Sequence, residues 1–230
     1  MGFYLYNTLG FRKSNNKMKI PYSKWRVFYE NLKKHQTIKK LINGHEFLFI
    51  IEQTRPNYKH ACSIEDIERI ISYIPKQDYG DLKLIVLRQP NRKEELLSSV
   101  WGRYDPLFAY KDEIFPAIIL EAMNYTQTIK WNKHLSVERQ RELDQLRGVG
   151  HNVIEKGRHY IISYDINSVR NTQLYKTIPH EFGHHVHYSE FEIDNFDQWI
   201  NLSKNVKEEV AFAYAENFWK ENLDRINSGL

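Results

Sequence analysis

Residues 178–188 read IPHEFGHHVHY, with four histidines and one glutamate inside eight positions. On an α-helix His180 and His184 lie about 40° apart around the axis, so both imidazoles project from one face and can reach one ion. Glu181 sits about 100° round from His180, where it can touch a water on that ion without being its natural ligand. This H-E-x-x-H spacing is the one by which a helix holds a catalytic zinc. His185 and His187 fall on other faces and read as surface or supporting groups. The stretch GHEFLF at 44–49 is a decoy: Phe49 stands where His45 would need its second histidine, and the alternation favours a strand.

A catalytic zinc takes three protein ligands and leaves one position to water. No histidine follows His187, and on a continuing helix Glu190 points away. The last helical stretch offers Glu208, Glu209 and Glu216. Glu208 shares a stripe with Phe212, Ala215, Trp219 and Ile226, whereas Glu209 and Glu216 group with Lys220. A glutamate on a buried face is costly unless it is paired or coordinates a metal. Glu208 is therefore the expected third ligand of one Zn2+ per chain, with His180 and His184.

The elements that must position these residues follow from patterning. Ser23 opens an expected helix to about Lys40, and GHEFLFIIEQ reads as a strand. Ser63 with Asp66 three later is a capping signal for a helix ended near Pro75. DLKLIVLR is a strand, residues 92–101 look helical, and PAIILEAM is a strand or another buried segment. Ser136 caps a helix ended by Gly148 and Gly150, and HNVIEKGRHYIISYD reads as a hairpin turned at Lys156-Gly157. Pro179 requires either a helix that begins near Thr177 or a longer one from about Asn171 that kinks. A final helix runs from about Ser203 to Ile226. Mixed strands and helices with short connections give an α+β fold. The expected organisation is a basic N-terminal α/β region over 1–75, separate or sharing the core, followed by the metal-binding domain over 76–230.

Composition narrows the chemistry. Cys62 is the only cysteine among 230 residues, which excludes an internal disulfide and a cysteine-built zinc site. Residues 1–40 carry ten Lys/Arg against one Glu, a net +9; the whole chain carries +4, so the remainder sums to −5. That basic part is interleaved with Tyr22, Trp25, Phe28 and Tyr29, a pattern compatible with a nucleic-acid surface as well as with a solvated amphipathic helix. No apolar run is long enough for a signal or membrane segment, so the expectation is a soluble cytoplasmic protein with no membrane partner.

The stretch YIISYDINSVRNTQLYKTIPHEFGHHVHY, followed by EEVAFAYAENF, resembles the gluzincin metallopeptidases, and most closely the ImmA/IrrE family, over about residues 137–219. Glu208, Ala211, Tyr214 and Ala215 match the order of that family's glutamate helix. The resemblance implies a zincin-like domain with a small mixed sheet, and a zinc-dependent endopeptidase that cleaves a protein or peptide, such as a transcriptional repressor. A lethal-factor-type toxin protease has a similar HEFGH but matches less of the chain. Pro179, the acidic loop SEFEIDNFDQW and residues 1–130 depart from the family pattern. In the implied mechanism Glu181 is the general base. The strand HYIISYD is the expected partner of an extended substrate. Tyr164, Tyr175, Tyr188 and Tyr214 are the candidate oxyanion stabilisers. The alternatives are a purely structural zinc with a fourth ligand from His187 or the acids of 190–197, and a nucleic-acid-binding protein without protease activity.

Overall fold

The structure, a computed structural model, describes residues 32–228 except 93, 94, 96–99 and 192–195. Residues 1–31, which carry most of the basic segment and the nucleic-acid reading placed there, lie outside them. Strands β1 (His35–Ile42) and β2 (His45–Glu52) form an antiparallel hairpin. Its turn is Asn43-Gly44, both at positive φ (48° and 81°), the backbone that suits a two-residue hairpin loop. This corrects the helix expected from Ser23 to Lys40: residues 35–40 are strand, and 23–31 lie outside the described residues. Over residues 35–40 the Asn-Gly turn and the pairing with β2 decide for strand.

After the short β3 (Tyr58–Lys59), helix α1 (Ile64–Ser72) starts with the expected capping box of Ser63 and Asp66. A 3-10 turn over Lys76–Tyr79 leads to β4 (Leu84–Arg88), β5 (Gly102–Tyr110) and β6 (Glu113–Glu121). The helix expected over 92–101 falls largely outside the described residues, and Trp101 is not helical. Strand β5 has no counterpart in the sequence reading. Pro106 and Asp105 hide it, and both sit where the β5–β6 register shifts, an irregularity that an outer strand tolerates.

The five-stranded sheet has the order β1-β2-β4-β6-β5, parallel across β2, β4 and β6 and antiparallel at both ends. A second layer follows: β7 (Met123–Asn124) pairs with β3, and β8 (Ile129–Asn132), helix α2 (Val137–Gly148), β9 (Asn152–Lys156) and β10 (His159–Ser163) form a smaller unit. Its sheet has the order β8-β10-β9, with the β9–β10 turn at Gly157-Arg158, one residue later than expected. Helix α3 (Ile166–Thr172), a π-turn over Gln173–Thr177, α4 (Ile178–Ser189), α5 (Phe196–Asn201) and α6 (Lys204–Ser228) complete an α+β fold.

One apolar cluster runs from Ile42 and Phe47 through Ile67, Ile71 and Ile118 to Ile178, Phe182, Phe218 and Ile226. It fills the space between the five-stranded sheet, α1 and the pair α4–α6. The division expected at residue 75 falls inside the β2–α1–β4 crossover, so residues 35–75 share this sheet and core with the rest. No helix among the described residues is long and apolar enough to cross a membrane.

Candidate metal centre

The helix that carries the histidines begins well before them. Asp165 and Ser168 form a capping box at α3, and the chain stays helical to Ser189. The π-turn accommodates Pro179, whose ring and missing N–H would disrupt a straight α-helix: here the Ile178 N–H reaches back five residues to the Gln173 carbonyl. Both halves of the earlier alternative thus meet, a long helix and a proline near the start of its second part. The buried Gln173 side chain donates to the Trp101 and Glu121 carbonyls at 2.9 and 2.8 Å, tying the π-turn to the start of β5 and the end of β6. Arg170 Nε donates to Asp66 Oδ2 at 2.8 Å, clasping α3 to α1.

Two close approaches set the site. A Cβ on Gly102 would lie 2.6 Å from the Ile119 carbonyl oxygen and 2.7 Å from Thr177 Cγ2, so β5 runs tight against the start of α4. A Cβ on Gly183 would lie 2.8 Å from Ala211 Cα, so α4 and α6 touch backbone to backbone. That crossing brings Glu208 to the histidines.

The rings of His180 and His184 stand 4.7 Å apart at 87°. Glu208 Oε2 lies 3.3 Å from His180 Nε2 and 4.0 Å from His184 Nε2. The ligand atoms of these three residues lie within 4.8 Å of one another, and they are the group among the described residues able to hold a metal ion. Two nitrogen or oxygen ligands of a tetrahedral zinc are about 3.4 Å apart, so the Glu208–His180 pair already has the spacing an ion requires, and the Glu208–His184 pair is longer than it. The charges at His184 and Glu208 fit as well. Burial pushes His184 down to about 4, favouring the neutral imidazole that coordinates. Burial also opposes charge on His180, but its hydrogen bond with Glu208 and the neighbouring acids outweigh this and raise it; that same bond lowers Glu208.

Glu181 is buried and stands outside the three-ligand group. Burial raises it to about 7, opposed by the charge of His180 and by a hydrogen bond from the Tyr104 backbone N–H of β5. Glu142 of α2, half-buried and paired with Arg139 at 2.7 Å, adds a further acid whose charge is felt at His180. Glu209 and Glu216 are exposed on α6, and Glu190 is exposed past the end of α4. Glu208 itself lies at the rim of the buried face, its side chain 34% exposed, rather than at the centre expected from the stripe.

Several expectations change. His185 is not a surface group but fully buried: its Nε2–H donates to the Tyr79 carbonyl at 3.0 Å, which leaves Nδ1 to accept from the Tyr104 hydroxyl at 3.1 Å. His187 is buried against Phe191 and does not join the ligand group. Strand β10, which contains HYIIS, is the middle strand of its sheet, paired with β8 and β9, so it has no edge for a substrate. The outer strand beside α4 is β5. Of the candidate tyrosines, Tyr164 donates to the Asn124 carbonyl at 3.1 Å and Tyr214 to Asp78 at 2.7 Å; Tyr175 packs on Trp219, and Tyr188 packs between Tyr104 and Trp199. Tyr104 and Glu142 are absent from the sequence reading because each comes to the site from another element, β5 and α2; Lys207, whose charge reaches His184, lies on α6 itself, next to Glu208. No family model, curated protein or solved structure matches the chain.

Proposed function

We propose that this chain is a zinc-dependent endopeptidase. The observation that carries the reading is the convergence of His180, His184 and Glu208 within 4.8 Å, with a buried Glu181 alongside but outside the group. When bound there, a divalent ion supplies a Lewis acid that acidifies water and polarises a carbonyl. The chain's own residues do the rest. Glu181, raised to about 7 by burial, can take a proton from the attacking water near neutral pH and return it to the leaving nitrogen. A structural ion would call for a fourth protein ligand, and the group among the described residues has three.

The peptide class is supported by β5. It is the outer strand of the main sheet, it runs against α4, and its Tyr104 N–H faces Glu181. An extended substrate added to such an edge would lay its backbone across the ligand group. The resemblance to ImmA/IrrE peptidases rests on the residues quoted above and makes a regulatory protein, such as a repressor, the substrate to test first.

Glu181→Gln keeps the shape and both neighbouring histidines but removes the base. Zinc content should stay near wild type while hydrolysis falls about 100 to 10,000-fold. The assay is co-expression with candidate repressors, followed for a fragment formed by wild type and missing with the variant. Undiminished cleavage by Glu181→Gln would refute the assignment.

A further inference from the structure

We propose that the outer face of the small sheet β8-β10-β9 is a docking site for an acidic segment of another protein. The proposal does not depend on the metal reading. Helix α2 covers the sheet's other face, where Leu143, Leu146 and Ile162 form a core with Trp131, Val153 and Tyr160 packed against it. Side chains alternate along a strand, so Lys130 and Asn132 of β8, Ile154 and Lys156 of β9, and His159 and Ile161 of β10 stand on the uncovered face. The pairing lays them out in two rows. Lys130 and Ile154 flank Ile161 in one, and Asn132 and Lys156 flank His159 in the next. Neighbouring strands lie about 4.8 Å apart, so the two ends of each row stand about 10 Å apart. Ile154 is 52% exposed, and Lys130, Asn132 and Lys156 are exposed as well.

Charge separates this face from ordinary sheet surface. Residues 41–230 sum to −5, yet the face carries no carboxylate. The three strands hold a single acid, Glu155, which stands opposite Tyr160 on the covered side and is bonded to Lys133. Other cations of the same unit are likewise answered, Arg139 by Glu142 and Arg147 by Asp144. Among the described residues, Lys130, Lys156 and, at the β9–β10 turn, Arg158 have no acid paired with them.

An apolar centre rimmed by cations selects an anionic partner that also has an apolar side chain to bury. An acidic protein segment has both: its carboxylates meet Lys130, Lys156 and Arg158, and one aliphatic or aromatic side chain covers Ile154 and Ile161. Nucleic acid has no such side chain, and a platform for its bases needs rings. The rings of this sheet are on the wrong side for that. Trp131 and Tyr160 lie on the covered face, where the guanidinium groups of Arg139 and Arg147 stand over them at 4.7 and 5.8 Å.

The test is fluorescence anisotropy of a labelled peptide of repeating Glu-Leu-Glu triplets, titrated with the full chain and no added metal. Wild type should bind it, more weakly as salt rises. The double variant Lys130→Glu, Lys156→Glu should bind at least about tenfold more weakly, since two attractions become repulsions. Ile154→Ser should weaken binding of this peptide but not of one with serine in place of leucine. Lys59→Glu with Lys220→Glu makes the same change of charge on exposed lysines elsewhere and should alter affinity little. No binding by wild type overturns the proposal, as does equal affinity in wild type and Lys130→Glu, Lys156→Glu, which would put the peptide on another basic surface. An equal loss in the control pair overturns it as an effect of net charge alone. Tighter binding of oligothymidylate or of phosphatidylserine vesicles through Lys130 and Lys156 would assign the face to nucleic acid or to a membrane instead.

Discussion

At the scale of single residues the site depends on which glutamate faces the histidines. Glu208 reaches His180 Nε2 at 3.3 Å, while Glu209, one residue on, is exposed. Glu208→Ala should therefore reduce bound zinc from about one per chain to a small fraction, measured by elemental analysis after dialysis, because two histidines alone leave the ion under-coordinated. Glu209→Ala should keep its zinc; equal content in wild type and Glu208→Ala would remove Glu208 from the set. These residues were legible in the sequence because helical spacing is rigid: residues four apart share a face wherever the helix lies. Tyr104 was not, since its hydrogen bond with His185, 81 positions away, is decided by tertiary packing. His185 shows the limit from the other side. Its angle placed it off the metal face, but not its burial against Tyr79 and Tyr104.

Among elements, the crossing of α4 on α6 is the part most sensitive to one atom group. Gly183→Ala would put a methyl 2.8 Å from Ala211 Cα and 3.0 Å from its carbonyl oxygen, and neither is the movable end of a side chain. The helices must separate, at a cost of about 1–3 kcal/mol. The variant should melt several degrees lower and bind zinc more weakly, since Glu208 is carried on the displaced helix. A calorimetric midpoint and zinc affinity equal to wild type would show that the crossing yields freely. Elements whose signals are local were readable from sequence, such as α1 with Ser63 and Asp66 and α2 with Ser136. Strand β1 differs from the expected helix because that helix was extended to Lys40 from a pattern lying before residue 33, past the Asn43-Gly44 turn signal, and β5 is hidden because Pro106 interrupts it. The cost of missing β5 was functional. Peptide pairing was assigned to β10, whose two edges are both taken.

For the whole molecule, the clasp between Asp66 and Arg170 joins the β2–α1–β4 half of the core to the helix that carries the histidines. The Arg170 hydrogen bond holds Asp66 down at about 2, below its ordinary 3.8. A depressed carboxylate contributes stability that is fully present above the unfolded value and is lost as pH falls through about 2. Asp66→Asn, which can still cap α1, should thus lower the melting temperature at pH 5 and approach wild type as pH falls from about 4 to 2. A gap that stays constant over that range would mean that the ion pair contributes nothing.

The π-turn at 173–177 can also be read as a phase shift. One residue of an α-helix turns the chain by about 100°, and a π-turn takes up one extra residue without advancing the helix. Ten positions separate Arg170 from His180. In an unbroken α-helix the two would stand about 280° apart, but with one position absorbed they stand about 180° apart, on opposite sides. The extra residue therefore lets a single rod be fastened to α1 along one side while its histidines face Glu208 along the other. Deleting one residue of the turn would leave both the fastening and the motif intact in sequence, and would rotate them out of agreement in space.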